Sequence, residues 1–98
     1  MKLYLIHCGF YDPLLAAGIY ESHVNFFVVA QTFEEARQKV KECDGYSTRK
    51  MHVDGIQEIS MIQGHQVILE RDPLRSENEN SISSNRHRDL APTQDKRL

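Results

Sequence analysis

The chain has no tryptophan, two cysteines and three prolines in 98 residues, and no apolar run near the roughly 20 residues that cross a bilayer. Each shortage excludes something. Cys8 and Cys43 have neither metal-ligand nor redox spacing, and two cysteines do not make a disulfide framework, so a reduced, cytoplasmic compartment fits best. The opening Met1-Lys2-Leu3-Tyr4-Leu5-Ile6 is apolar but too short for a secretory leader, and His7 interrupts it. An excess of positive charge is also missing. The formal net charge is −2, and the part before Arg71 sets six basic residues against nine acidic ones. Phosphate attraction is therefore absent there, which argues against a nucleic-acid partner. Arg86-His87-Arg88 and Lys96-Arg97 are small positive groups with acids between them.

The shortages are uneven along the chain. All aromatic residues lie before Ser47 and all glycines before Gln66, whereas two of the three prolines follow Arg71. From Arg71 to Leu98 the chain is rich in Asn, Ser and Arg, with scattered Leu74, Ile82, Leu90, Ala91 and Leu98. Such a stretch cannot bury enough apolar surface to offset the entropy of ordering it. The expected organisation is one compact domain over 1–70 and a disordered polar tail over 71–98.

Within the domain, "KLYLIHCG" reads as a strand apolar on both sides, which suits an interior position. "YDPLLAAG" suggests a single helical turn capped by Asp12 and stopped by Gly18. "HVNFFVVAQ" is a second strand, with Val24, Phe26, Val28 and Ala30 on one side and Phe27 and Val29 on the other. "TFEEARQKVKECDG" predicts a helix. Thr32 and Glu35 form a capping box, Phe33, Ala36, Val40 and Cys43 give one apolar stripe, and Gly45 can close it. "KMHVDGIQEISMI" is a third strand in which Gly55 suggests a bulge or close backbone approach, and a Gln63-Gly64 turn leads into "HQVILE", a fourth.

The order β-β-α-β-β predicts an α+β two-layer sandwich, with one mixed four-stranded sheet under one main helix. The helix would carry a crossover between parallel second and third strands. One helix cannot cover both faces of a sheet whose second strand is apolar on both. The Asp12–Gly18 segment could shield part of the far face, and a second copy of the protein the rest. A homodimer is the expected assembly.

"YDP", "GIYESHVNFFVVA", "FEEAR" and "KMHVDGIQEI" together resemble the bacterial family catalogued as domain of unknown function 1543. The likeness spans roughly Met1 to Leu69 and several long words. It implies a small soluble α+β domain and brings no activity and no site residues with it.

Two polar words interrupt the apolar pattern, "ESH" (Glu21, His23) and "HVD" (His52, Asp54). Each is an i, i+2 pair, so on a strand both members project from one face. If the strands that carry them are neighbours, two imidazoles and two carboxylates converge at one rim of the sheet, with Asn25 at the core boundary. Such a set suits a divalent transition metal (zinc, iron or manganese) or general acid/base work. The same residues can instead satisfy one another and nearby backbone groups in a structural network. His7-Cys8 is a weaker pairing of base and thiol, since a buried cysteine is usually inert. Tyr11 and Tyr20 flank the same region, and His65 falls in a turn.

Two functions stay open on these residues, and whether the chain catalyses a reaction is undecided. One is a small self-associating binding module whose ligand contacts Glu21, His23, Asn25, His52 and Asp54, with no resident cofactor. The other is a metal-binding protein or metal-assisted enzyme using Glu21, His23, His52 and Asp54 as ligands. A protein or small-molecule partner fits either reading, and a membrane partner neither.

Overall fold

Strand β1 (Lys2–Tyr11) lies in the middle of a three-stranded sheet of order β2-β1-β3, paired antiparallel to β2 (Glu21–Ala30) and to β3 (His52–Ile59). The computed structural model describes residues 1–86. The interior position expected for β1 is met, although only one of its two apolar faces is covered: Leu3 and Leu5 on the other stay half-buried. Tyr4, Ile6 and Cys8 are fully buried on one face of β1, joined by Phe10, Val28 and Ala30. Above them sits helix α1 (Phe33–Val40), which contributes the fully buried Ala36 and Val40. The faces of β2 fall as its alternation predicts: Val24, Phe26, Val28 and Ala30 pack toward the core, and Phe27 and Val29 lie exposed on the other side.

The helix begins where its cap predicts. Thr32 Oγ1 accepts the Glu35 amide at 3.1 Å. The Glu35 carboxylate reaches back to the Gln31 amide, one residue beyond the partner a capping box supplies. Lys39 ties the helix to β2 by donating to the Val29 carbonyl at 2.7 Å. The helix ends earlier than the predicted Gly45. After Val40 the amides of Lys41, Glu42 and Cys43 bond three residues back, so the last turn tightens and Cys43 is only half-buried. Phe33 remains half-exposed, with its ring edge-on to Tyr4.

Two expectations about the sheet fail. β2 and β3 run in the same direction but are not neighbours, because β1 lies between them. The crossover through α1 therefore spans an intervening strand. Nor, among the described residues, is there a fourth strand in this sheet. Met61–Ile62 (β4) and His65–Gln66 (β5) form a separate two-stranded ribbon around the Gln63-Gly64 turn. Beyond Gln66 the Val67 amide still bonds the Ser60 carbonyl at 2.9 Å, Val67 and Leu69 are half-buried, and Ile68 is left 78% exposed. Between β1 and β2, Asp12 accepts the Leu14 amide, and a short 3-10 turn spans Ala16–Gly18. That segment shields little, since Leu14 and Ile19 stand in solvent.

Residues 71–86 are exposed and carry neither helix nor strand. Within 71–79 the hydrogen bonds join near neighbours, such as the Leu74 amide to Asp72 Oδ1 at 2.9 Å. The rest of the expected tail, with Lys96-Arg97, lies outside the described residues, as do two members of the Arg86-His87-Arg88 group. Removing residues 74–98 should shift Tm by no more than about two degrees, because exposed terminal segments contribute little to stability. Differential scanning fluorimetry of the shortened chain checks this, and a large drop would show that the tail packs on the domain.

Candidate functional site

Gly9, in the middle of β1, determines what can gather on the open face of the sheet. Its ladder partners are His23 on β2 and His52 on β3. A side chain at residue 9 would stand between them. A Cβ built there would lie 2.7 Å from Asp54 Oδ2, 2.8 Å from His52 Nε2 and 3.0 Å from the Glu21 carboxyl carbon. The glycine is thus a gap in the central strand, and side chains from both outer strands lean into it. A glycine in a strand interior often marks such a close approach.

β3 delivers its pair through an irregularity. Val53 and Ile56 both pack on the core although they are three residues apart, which regular alternation forbids. One extra residue must therefore be accommodated between them. The register shifts there: Cys8 pairs with Val53 and His7 with Gly55, leaving Asp54 unpaired in the β1–β3 ladder. The bulge expected near Gly55 thus falls on Asp54 and points its carboxylate outward. The alternative expectation of a close backbone approach at Gly55 is not met, because nothing lies within 4 Å of a Cβ built there.

The four predicted side chains meet over Gly9. His23 Nε2 lies 2.6 Å from Glu21 Oε1 and 3.1 Å from Asp54 Oδ2. His52 Nε2 lies 2.9 Å from Glu21 Oε2 and 3.1 Å from Asp54 Oδ1. Each carboxylate thus gives one oxygen to each imidazole. The convergence occurs on the face of the sheet, across the central strand, rather than at the rim. Asn25 marks a boundary, but not that of the core. It separates the polar half of the open face from an apolar half formed by Leu3, Leu5, Phe27, Val29 and Ile59.

His7 also belongs to this neighbourhood, which its sequence context did not reveal. Its ring stacks on His23 at 4.6 Å between centroids and 7° between planes. Its Nδ1 is 2.7 Å from Asn25 Oδ1. An amide oxygen only accepts, so in this arrangement His7 donates from Nδ1. Beside it, Leu5, His7, Asn25, Gly55, Ile56 and Gln57 line an open depression of about 400 Å³. The signal for both Gly9 and His7 was the word "HCG" inside an otherwise apolar strand.

The other candidates disperse. Cys8 points into the core and His7 to the open face, so they are not a thiol and its base. Burial pushes the Cys8 thiol upward, with smaller contributions from Asp54 and Cys43, which makes it a poorer nucleophile. Tyr11 lies exposed at the edge of the cluster, 6.5 Å from the His52 ring, and Tyr20 is exposed. His65 falls not in the turn but at the start of β5, exposed, with Nδ1 near the Gln63 carbonyl. Among the described residues, no helix is long and apolar enough to cross a membrane.

The fold and the cluster together define a small α+β domain that carries a histidine–carboxylate group on the uncovered side of its sheet. The chain belongs to the family described as Domain of Unknown Function (DUF1543), whose model matches residues 18–69. The matched span contains Glu21, His23, Asn25, His52 and Asp54 but begins after β1, short of the Met1 start that the sequence likeness suggested. No curated protein and no solved structure matches the chain.

Proposed function

We propose that this protein is a small metal-binding module that takes a divalent transition metal through Glu21, His23, His52 and Asp54. The observation that supports this reading is the sharing of both carboxylates by both Nε2 atoms, at 2.6 to 3.1 Å. A proton network accounts for it poorly. Each Nε2 carries at most one hydrogen, so at most two N–H groups serve four close approaches. A cation answers this difficulty, since it attracts every lone pair at once.

The mixture of imidazole and carboxylate suits zinc, iron or manganese better than calcium, which prefers oxygen alone. Stability gives little alternative reason for the cluster. Its side chains are 29 to 45% exposed, and ion pairs in such positions contribute about 0–1 kcal/mol.

Metal-free, untagged protein titrated with Zn²⁺ or Mn²⁺ in a calorimeter tests this. Asp54→Asn should weaken binding more than about 100-fold, since even partners outside the ligand shell are worth 10- to 100-fold. His23→Ala and His52→Ala should each weaken it and barely move Tm. Loss of about 1–3 kcal/mol of stability in those variants, with no metal bound by the wild type, would mean a structural network.

The apolar half of the open face supports a second part of the proposal, pairing with another copy of the chain. Leu3, Leu5, Phe27, Val29, Gln57 and Ile59 bring no charge, and Phe27 is 54% exposed. An uncharged face is best matched by an equally uncharged one, which a second copy supplies by two-fold symmetry. The unbridged Cys8 and Cys43 agree with a reducing, cytoplasmic setting.

A further inference from the structure

Resting on the metal-binding reading, we infer that the centre holds two divalent transition-metal ions bridged by Glu21 and Asp54. The two oxygens of each carboxylate are divided between the two imidazoles. Glu21 sends Oε1 to His23 and Oε2 to His52, and Asp54 sends Oδ2 to His23 and Oδ1 to His52. A carboxylate that chelates one ion turns both oxygens toward one point. A carboxylate that bridges two ions turns them apart, each toward a different ion with its own nitrogen ligand, and both carboxylates here have that disposition.

The potential ligand atoms also fall into two overlapping sets. His7, His23 and Asp54 have ligand atoms within 4.8 Å of one another, and so do Glu21, His52 and Asp54. Asp54 is common to both, and Glu21, a member of the second set, reaches the first through Oε1, 2.6 Å from His23 Nε2. The spacing of nitrogen and oxygen fits ligands of one ion. Two donors at about 2.1 Å from a metal and at right angles to each other lie about 3.0 Å apart.

The two positions are unequal. On the His23 side a second imidazole, His7, follows in parallel stacking, with Asn25 Oδ1 accepting a hydrogen bond from its Nδ1 so that Nε2 is the nitrogen available as a ligand. Fixing a ligand imidazole by a hydrogen bond at its other nitrogen is the usual role of an outer-shell group, so Asn25 is a positioning residue. On the His52 side the ring beyond is Tyr11, at 6.5 Å. The His23 position therefore offers two nitrogens and the His52 position one.

Native mass spectrometry and calorimetry of the untagged full chain with Mn²⁺ decide the matter. The wild type should saturate at two ions per chain. His7→Ala should weaken one equivalent at least tenfold and leave the other unchanged, because His7 belongs to one set only. At two equivalents the Mn²⁺ ions should be spin-coupled in electron paramagnetic resonance, as expected for a pair about 3.5–4 Å apart. Saturation at one ion overturns the bridged pair and leaves metal binding intact, whereas no binding overturns both. Two ions with the uncoupled six-line signal, or a His7→Ala variant that binds both ions as the wild type does, also overturn the pair.

Discussion

Gly9→Ala should abolish metal binding while leaving the fold in place. The new methyl would stand 2.7 to 3.0 Å from Asp54, His52 and Glu21. These are the mobile ends of flexible side chains, so the sheet need not distort, and the residues move aside. Alanine also suits a strand at least as well as glycine, since it restricts the unfolded chain more. In the absence of metal, Tm should stay level or rise slightly. With metal the difference is large. A ligand at 100 times its dissociation constant stabilises the native state by about 2.7 kcal/mol, which for a domain of this size moves Tm by more than about 10 °C. The wild type should show that rise on adding Zn²⁺, and Gly9→Ala should not. A variant that still gains the full metal-induced shift would mean that the four side chains do not act together over the gap.

Phe27→Asp should produce the second large effect, on assembly rather than on the fold. Phe27 lies on the uncovered face opposite Leu5 in the ladder, with Val29 two residues further along the same side. A charge placed there would be buried unpaired between two copies, which costs several kcal/mol and dissociates a modest interface. Sedimentation at tens of micromolar should show a dimer for the wild type and a monomer for the variant, with similar circular dichroism. A wild type that sediments as a monomer at that concentration contradicts the dimer. Because the cluster lies beyond Asn25 on the same face, metal binding by the variant should be unchanged.

Much of the local structure was legible because it depends on near neighbours. The alternation of β2 assigned its two faces, and Thr32 located the start of α1. What failed was long-range. The two-sided apolar pattern of β1 pointed to an interior strand, which it is, but nothing in its period names β2 and β3 as its two neighbours. "HQVILE" has strand propensity, but only His65–Gln66 pairs, and its partner is the short Met61–Ile62 strand rather than the main sheet.

The site was legible in the same uneven way. The pairs Glu21/His23 and His52/Asp54 could be read as same-face residues. Their meeting depended on a central strand with a missing side chain and on a bulge. The bulge was foreshadowed by Val53 and Ile56, two core residues separated by one position too many.

The strand order has a further consequence for how the molecule is made. β1 is synthesised first and is completed last. It can pair with β2 as a hairpin once Ala30 is available, but its other edge waits for His52–Ile59. Until then a row of unsatisfied backbone groups along an apolar strand is open to any nascent neighbour. Glu21 and His23 exist at the hairpin stage, while His52 and Asp54 arrive with the strand that closes the sheet. The proposed metal would therefore clasp two strands that share no backbone hydrogen bond, and would hold shut the edge that took longest to cover.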